Sequence, residues 1–258
     1  MILQDRMKIC KTRQIANNII EMVLEGSLVK EIASPGQFVH IRVTDTFEPL
    51  LRRPISIASY DKKHEQLTLI FRAEGKGTQL LAAKAVGDTL NVLGPLGNGF
   101  SADHSESGET ALLIGGGIGV PPLYQLSKEL TAKGVKCVHV LGFQTATAVF
   151  YEEEFAALGE TRIVTADGSA GESGFVTDSL ARNPVDFTTY YTCGPTPMLH
   201  AVQQAFQEQK GFLSFEQRMG CGIGACFACV CETQQGQAAA YVKVCSDGPV
   251  FPAGVVAI

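Results

Sequence analysis

The chain has 258 residues, 45% of them hydrophobic and 18% charged, with a formal net charge of −5. That balance suits one large or two to three small globular domains; it excludes a disordered chain, and the acidic charge without any basic stretch excludes a nucleic-acid partner. The opening MILQDRMKICKTRQ has no apolar core and no run of ~18 apolar residues follows, so neither a signal peptide nor a membrane span is expected. A reducing, cytoplasmic setting is therefore expected, where eight cysteines read as metal ligands and core residues rather than as disulfides.

The first hundred residues read as strands and turns. QFVHIRV (37–43), PISIASY (54–60) and QLTLIFRA (66–73) alternate apolar with polar residues, as half-buried antiparallel strands do. Pro35-Gly36 and Gly87-Asp88 supply turns, and closure into a small barrel removes exposed strand edges. Within this region, Arg53 in an apolar strand calls for an anionic partner. GKGT (75–78), ahead of the apolar QLLAA, forms a loop-to-helix anion site with Thr78 as cap or phosphate donor. Arg53, Arg72 and this glycine loop together point to a phosphate-bearing cofactor, although a surface arginine and a plain helix cap fit the same spacing.

Residues 97–109 lose the apolar pattern and read as a linker. From Thr110 the period changes: strand TALLIG, loop GGGIG, helix VPPLYQLSKELTAKG closed by Gly134, strand KCVHVLGF (136–143), a helix around EEEFAALG, strands TRIVTA and TTYYTCG, and a helix over 197–211. Strands alternating with helices predict a parallel sheet covered on both faces. Gly115, Gly116, Gly117 and Gly119 lie between a strand and a helix, where backbone can approach a pyrophosphate; Pro121 and Pro122 are tolerated in the first helical turn. A second glycine loop, Cys193-Gly194-Pro195, ends a later strand, and two such loops can face one crevice. Cys193 reads equally as a small core residue and as a neighbour of a reacting nicotinamide ring. Cys10 and Cys137 read as core residues.

The last forty-odd residues are too few and too glycine-rich for a core of their own and are expected to fold around metal. GCGIGACFAC sets Cys221, Cys226 and Cys229 in a C-x4-C-x2-C array, with Cys245 completing four thiolates; this is the plant-type ligand order of a [2Fe–2S] cluster. Zinc draws its cysteines from two C-x2-C knuckles, and only one such pair exists here. Cys231 competes with Cys245 for the fourth position.

RPIS, then GKGT, then GGGIGVPP, then CGPTPM, followed by CGIGACFACVC, resembles the ferredoxin–NADP reductase superfamily in motif order. RRPISIAS, TADGSAGESGFVTD and FEQRMGCGIGACFACV are similar to its branch of electron-transfer subunits from NAD-dependent (type B) dihydroorotate dehydrogenases. The resemblance covers essentially the whole chain. It implies an antiparallel flavin-binding β-barrel (1–102), a parallel-sheet α/β domain binding NAD (103–213) and a C-terminal [2Fe–2S] segment (214–258). It also implies FAD contacts at Arg53, Pro54, Ile55, Ser56, Ile70, Phe71, Arg72, Gly77 and Thr78, with Ser56 near flavin N5 and Arg53 at the phosphates. NAD contacts are implied at 115–119 and at Gly194 and Pro195, and cluster ligands at Cys221, Cys226, Cys229 and Cys245. Ile55 stands where many superfamily members carry an aromatic residue that stacks on flavin. The implied role is conversion between two-electron exchange with NAD and one-electron exchange at the cluster, inside a heterotetramer with an FMN-containing catalytic subunit. NAD rather than NADP is expected, because QTATAVFYEEEF after the strand ending at Phe143 offers acids but no arginine. The rival readings are the small subunit of an NADH-dependent ferredoxin–NADP oxidoreductase or a sulfide dehydrogenase, and a redox-sensing module.

Overall fold

A computed structural model describes residues 1–258. Six antiparallel strands close a barrel: β1 (Leu3–Ala16), β2 (Ile19–Glu25), β3 (Phe38–Arg42), β4 (Arg53–Asp61), β5 (Gln66–Arg72) and β6 (Thr89–Leu96), in the order β1-β2-β5-β4-β3-β6 with β6 returning to β1. Alternation does what the sequence predicts, since Val39, Ile41, Ile55, Ile57, Leu69 and Phe71 fill the barrel interior. A short helix, α1 (Lys76–Ala82), fills the connection from β5 to β6. Gly36 and Gly87 sit at φ 84° and 96°, the left-handed backbone that their turns require.

The second unit alternates strands and helices: β7 (Thr110–Gly116), α2 (Pro121–Ala132), β8 (Lys136–Phe143), α3 (Glu152–Ala156), β9 (Glu160–Thr165), β10 (Glu172–Ser173), α4 (Val176–Arg182), β11 (Thr189–Cys193), α5 (Thr196–Ala205) and β12 (Lys210–Ser214). Its sheet order is β10-β9-β8-β7-β11-β12, all parallel, so the chain steps outward one way from β7 and then the other way from β11. Ligands of open α/β sheets bind at such a reversal, beyond the strands' carboxyl ends.

Two sequence expectations need correction. The helix expected over 197–211 stops at Ala205, and Lys210–Ser214 is strand β12. The apolar Phe212 and Leu213 are buried in two different cores, as a two-sided sheet strand demands. Cys10 is not a core residue: it is half-buried, with its Sγ 3.6 Å from Glu25 Oε2. Cys137 is buried, as expected.

The C-terminal segment carries a small hairpin, β13 (Val230–Glu232) with β14 (Tyr241–Lys243), and β15 (Val250–Pro252), which adds antiparallel to β12 and extends the parallel sheet. Its Cys229, Val244, Cys245, Phe251 and Val256 share one core with Phe38 and Leu96 of the barrel and with Ile114 and Leu213 of the sheet. The segment therefore has no separate core and instead wedges between the other two units. Two further polar ties cross the barrel–sheet junction: Tyr60 Oη donates to Glu129 Oε1 (2.7 Å) and Tyr151 Oη to Glu21 Oε2 (2.8 Å).

Candidate functional site

The barrel's candidate flavin residues gather where β4 leaves the loop 43–52 and where β5 runs into α1. Arg53 lies against Gly77: a Cβ at residue 77 would come within 2.1 Å of Arg53 Nε and 2.7 Å of Nη2. A cation is thus laid across bare backbone, in space that any larger residue at 77 would contest. Thr78 Oγ1 accepts the Gly75 N–H (3.1 Å), which fixes the loop ahead of the helix. Pro54, Ser56 and Arg72 are half-buried and open to a ligand, whereas Ile55 is buried at 8% exposure. Ile70 and Phe71 are each 2% exposed, with Ile70 in the core under α2 and Phe71 inside the barrel, so both offer a ligand almost no surface. Arg72 bonds Glu74 (3.3 Å), and its Nη2 approaches Gly117 of the second unit, 3.4 Å from where a Cβ would sit.

The two glycine loops of the sheet meet at the topological reversal. Cys193 is in register with Gly115 on adjacent strands. A Cβ on Gly119 would stand 2.3 Å from the Cys193 carbonyl oxygen, and one on Gly116 would stand 2.5 Å from Met198 Sδ. Gly194 faces the same Met198, and Pro195 leads exposed into α5. Sequence spacing placed both loops correctly, and the structure brings them into van der Waals contact. Burial pushes the Cys193 thiol up to about 12, so it holds its proton at neutral pH.

A third loop on the same edge is not evident from the glycine pattern. Asp167, just past β9, accepts from the N–H (3.0 Å) and Oγ (2.6 Å) of Ser169, whose Oγ accepts the Ala146 N–H (2.7 Å) beyond β8. The T-A-D-G-S string carries the signal, since an acid at a parallel strand's carboxyl end is placed for a ribose.

The cysteines come together as two pairs, Cys221 with Cys226 and Cys229 with Cys245. No three side chains converge as a single-ion site needs. Two pairs of thiols fit a cluster that takes two thiolates on each iron. Burial opposes ionisation of Cys221, but the N–H groups of Ile223 (3.5 Å) and Cys226 (3.3 Å) aimed at its Sγ outweigh it and bring the thiol down to about 7. Burial and the bond to the Cys229 thiol push Cys245 up to about 12, while its Sγ accepts the Gly224 N–H (3.2 Å). Gly222 and Gly224, at φ 74° and 82°, give the loop the curvature that turns these N–H groups inward. Cys231 lies opposite Val242 in the small hairpin, and burial raises it.

The cluster loop is open on one side. Ile223, Phe227 and Tyr241 are 49, 60 and 49% exposed, Phe227 meets Tyr241 edge-on, and Lys243 Nζ lies 4.6 Å from the Phe227 ring centre. Beside it a depression of about 310 Å³ is lined by Gly222, Ile223 and Cys245 together with Met1, Ile2 and Gln37 of the barrel.

A family profile described as "Iron-sulfur cluster binding domain of dihydroorotate dehydrogenase B" matches residues 216–257, and "Oxidoreductase NAD-binding domain" matches 113–204. The chain is 59% identical over 258 residues, 100% of both chains, to the dihydroorotate dehydrogenase B (NAD(+)) electron transfer subunit of Lysinibacillus sphaericus (strain C3-41). It is 53% identical over 259 residues, again all of both chains, to that of Bacillus cereus (strain G9842). A solved NADH-dependent reduced ferredoxin–NADP oxidoreductase, described for flavin-based electron bifurcation, superposes with a TM-score of 0.86 at 29% identity, covering 97% of this chain and 89% of the other. The rival reading as a subunit of that enzyme type thus rests on a much lower identity. The chain belongs to the family of dihydroorotate dehydrogenase B (NAD(+)) electron transfer subunits.

Proposed function

We propose that this chain works in the cytoplasm, docked on an FMN-containing subunit that oxidises dihydroorotate, in a heterotetramer of two plus two. As a member of its family it is an oxidoreductase subunit that uses FAD, a [2Fe–2S] cluster and NAD. When bound, NAD exchanges electrons in pairs, the cluster exchanges them singly, and flavin chemistry accommodates both.

The observation that carries the reading is contiguity. The cluster segment shares a core with β3 and β6 of the barrel and with the sheet, and Arg72 of the barrel reaches the Gly117 loop. Three candidate cofactor sites thus adjoin within one packed unit, with the aromatic face at Phe227 and Tyr241 left for a partner. We divide the chain into a flavin barrel (1–102), an NAD unit (103–213) and a cluster segment (214–258). In this division Arg53 holds the FAD phosphates over Gly77, Thr78 fixes the loop beside them, and Ser56 faces the reactive edge of the ring. Pro54 and Arg72 line the rest of the flavin site, while the buried side chains of Ile55, Ile70 and Phe71 hold β4 and β5 in place, so that any flavin contact there falls to their backbone. Gly115, Gly116, Gly117 and Gly119 admit the NAD pyrophosphate, while Cys193, Gly194 and Pro195 border the nicotinamide, with Cys193 as a protonated, uncharged neighbour. Asp167 accepts from the ribose hydroxyls, which supports NAD over NADP. Cys221, Cys226, Cys229 and Cys245 are the cluster ligands. A redox sensor has no use for paired nucleotide loops.

Co-expression with an FMN-containing dihydroorotate-oxidising subunit, followed by sizing and cofactor counting, tests this. Equal amounts of the two chains with FAD, FMN and iron are expected; a chain that elutes alone contradicts the assembly.

A further inference from the structure

His40 is fully buried on the barrel's outer face, yet both of its ring nitrogens lack a hydrogen-bond partner. Its strand position ties it to both sides of the relay. Across the β3–β4 pair it stands opposite Pro54, and Phe38 next on that face stands opposite Ser56. On its other side lies the cluster loop: a Cβ at Gly222, adjacent to Cys221, would come within 2.6 Å of His40 Nδ1. The ring is enclosed at 0% exposure, and Arg52 fixes its strand, donating from Nη1 to the His40 carbonyl (3.1 Å) and from both Nη atoms to Asn91. The backbones of Cys221 and Arg52 come within weak hydrogen-bonding reach of the ring, and neither satisfies a ring nitrogen with full hydrogen-bond geometry.

A buried N–H without an acceptor keeps its desolvation penalty uncompensated. The group that the family assigns to this place brings acceptors with it, since thiolate and sulfide sulfurs accept hydrogen bonds and those bonds set cluster potentials. We infer that His40 gives its ring N–H to the sulfur side of the cluster held at Cys221, and that this bond sets the cluster's reduction potential. Reduction adds negative charge at the sulfurs, so a donor there favours the reduced form and raises the potential. The inference rests on the [2Fe–2S] reading.

The test uses the full chain purified with its cofactors, as wild type, His40→Leu and His40→Gln. Iron content and the cluster's electron paramagnetic resonance signal in the wild type test the cluster reading independently. Given that signal, a redox titration is expected to show the His40→Leu cluster about tenfold harder to reduce, ~59 mV lower for one electron, with FAD unchanged. His40→Gln, which keeps an N–H donor, stays within about twofold of wild type. An exchangeable-proton coupling to the reduced cluster is expected in wild type and absent in His40→Leu. Equal potentials in wild type and His40→Leu overturn the inference. If His40→Leu loads no cluster, His40→Gln decides: wild-type potential with the proton coupling retained supports the bond, and a shifted potential or no coupling overturns it.

Discussion

Replacing Gly77 with alanine separates binding from folding at the flavin site. The backbone at residue 77 is not left-handed, so alanine is conformationally acceptable there, and inside a helix it is favoured over glycine by about 1 kcal/mol. The added Cβ would nonetheless stand 2.1, 2.6 and 2.7 Å from Nε, Cζ and Nη2 of Arg53. Those are the far atoms of a flexible side chain, so the fold yields by moving Arg53 rather than the helix. Displacing the guanidinium removes a charge-assisted bond to phosphate worth about 1.5–3 kcal/mol. FAD affinity is then expected to fall about 10- to 100-fold, while apo-protein melting stays level or rises by ~2–4 °C. Flavin fluorescence titration of apo-protein reads the first quantity and thermal melting the second. Arg53→Ala is expected to cost a similar amount, and the double variant little more, because both changes remove the same contact. Unchanged FAD affinity in Gly77→Ala, or fully additive losses, refutes the assignment of Arg53 as the phosphate-holding cation.

Cys245→Ser is expected to abolish the visible cluster spectrum, and Cys231→Ser to retain it with full iron content; the reverse pattern contradicts the ligand set. Asp167→Ala is expected to raise the KM for NADH about tenfold and to narrow the preference over NADPH, read from steady-state kinetics with both nucleotides. Acid stability follows from two buried groups. Burial brings His139 down to about 4, so its contribution is complete above the ordinary histidine range and is lost as pH falls toward 4. Burial alone would raise Glu21, but bonds from Arg13, Tyr151 and Lys11 prevail and hold it at about 2, so its contribution is lost only on further acidification. Urea unfolding is expected to show wild type losing about 2 kcal/mol more than His139→Gln between pH 7 and pH 5. Equal losses contradict the buried neutral histidine.

Local patterns made much of this molecule legible. Alternation located β3, β4 and β5, and the apolar run KCVHVLGF coincides with β8. Glycine spacing found both loops at the sheet's reversal because the strand–loop–helix context is itself local. What escaped the sequence depends on distant partners. β12 follows the polar QEQ (207–209) at the end of a helical pattern, and its strand character comes from β11 on one side and β15 on the other. β15 is three residues long and gains its identity only by reaching that edge. His40 reads as one of five scattered histidines until Gly222 is packed against it. Asp167 lies in a string that glycine spacing passes over, and its loop is joined to Ala146 after the neighbouring strand through Ser169.

The central claim is that this chain conducts electrons between a dihydroorotate-oxidising partner and NAD through its own cluster and flavin. The direct measurement is NADH formation when dihydroorotate is added anaerobically to the co-purified complex. NADH is predicted to accumulate with the wild-type chain and not with Cys245→Ser, although the partner still oxidises dihydroorotate with an artificial acceptor. NADH formed at the wild-type rate by the Cys245→Ser complex would contradict the account.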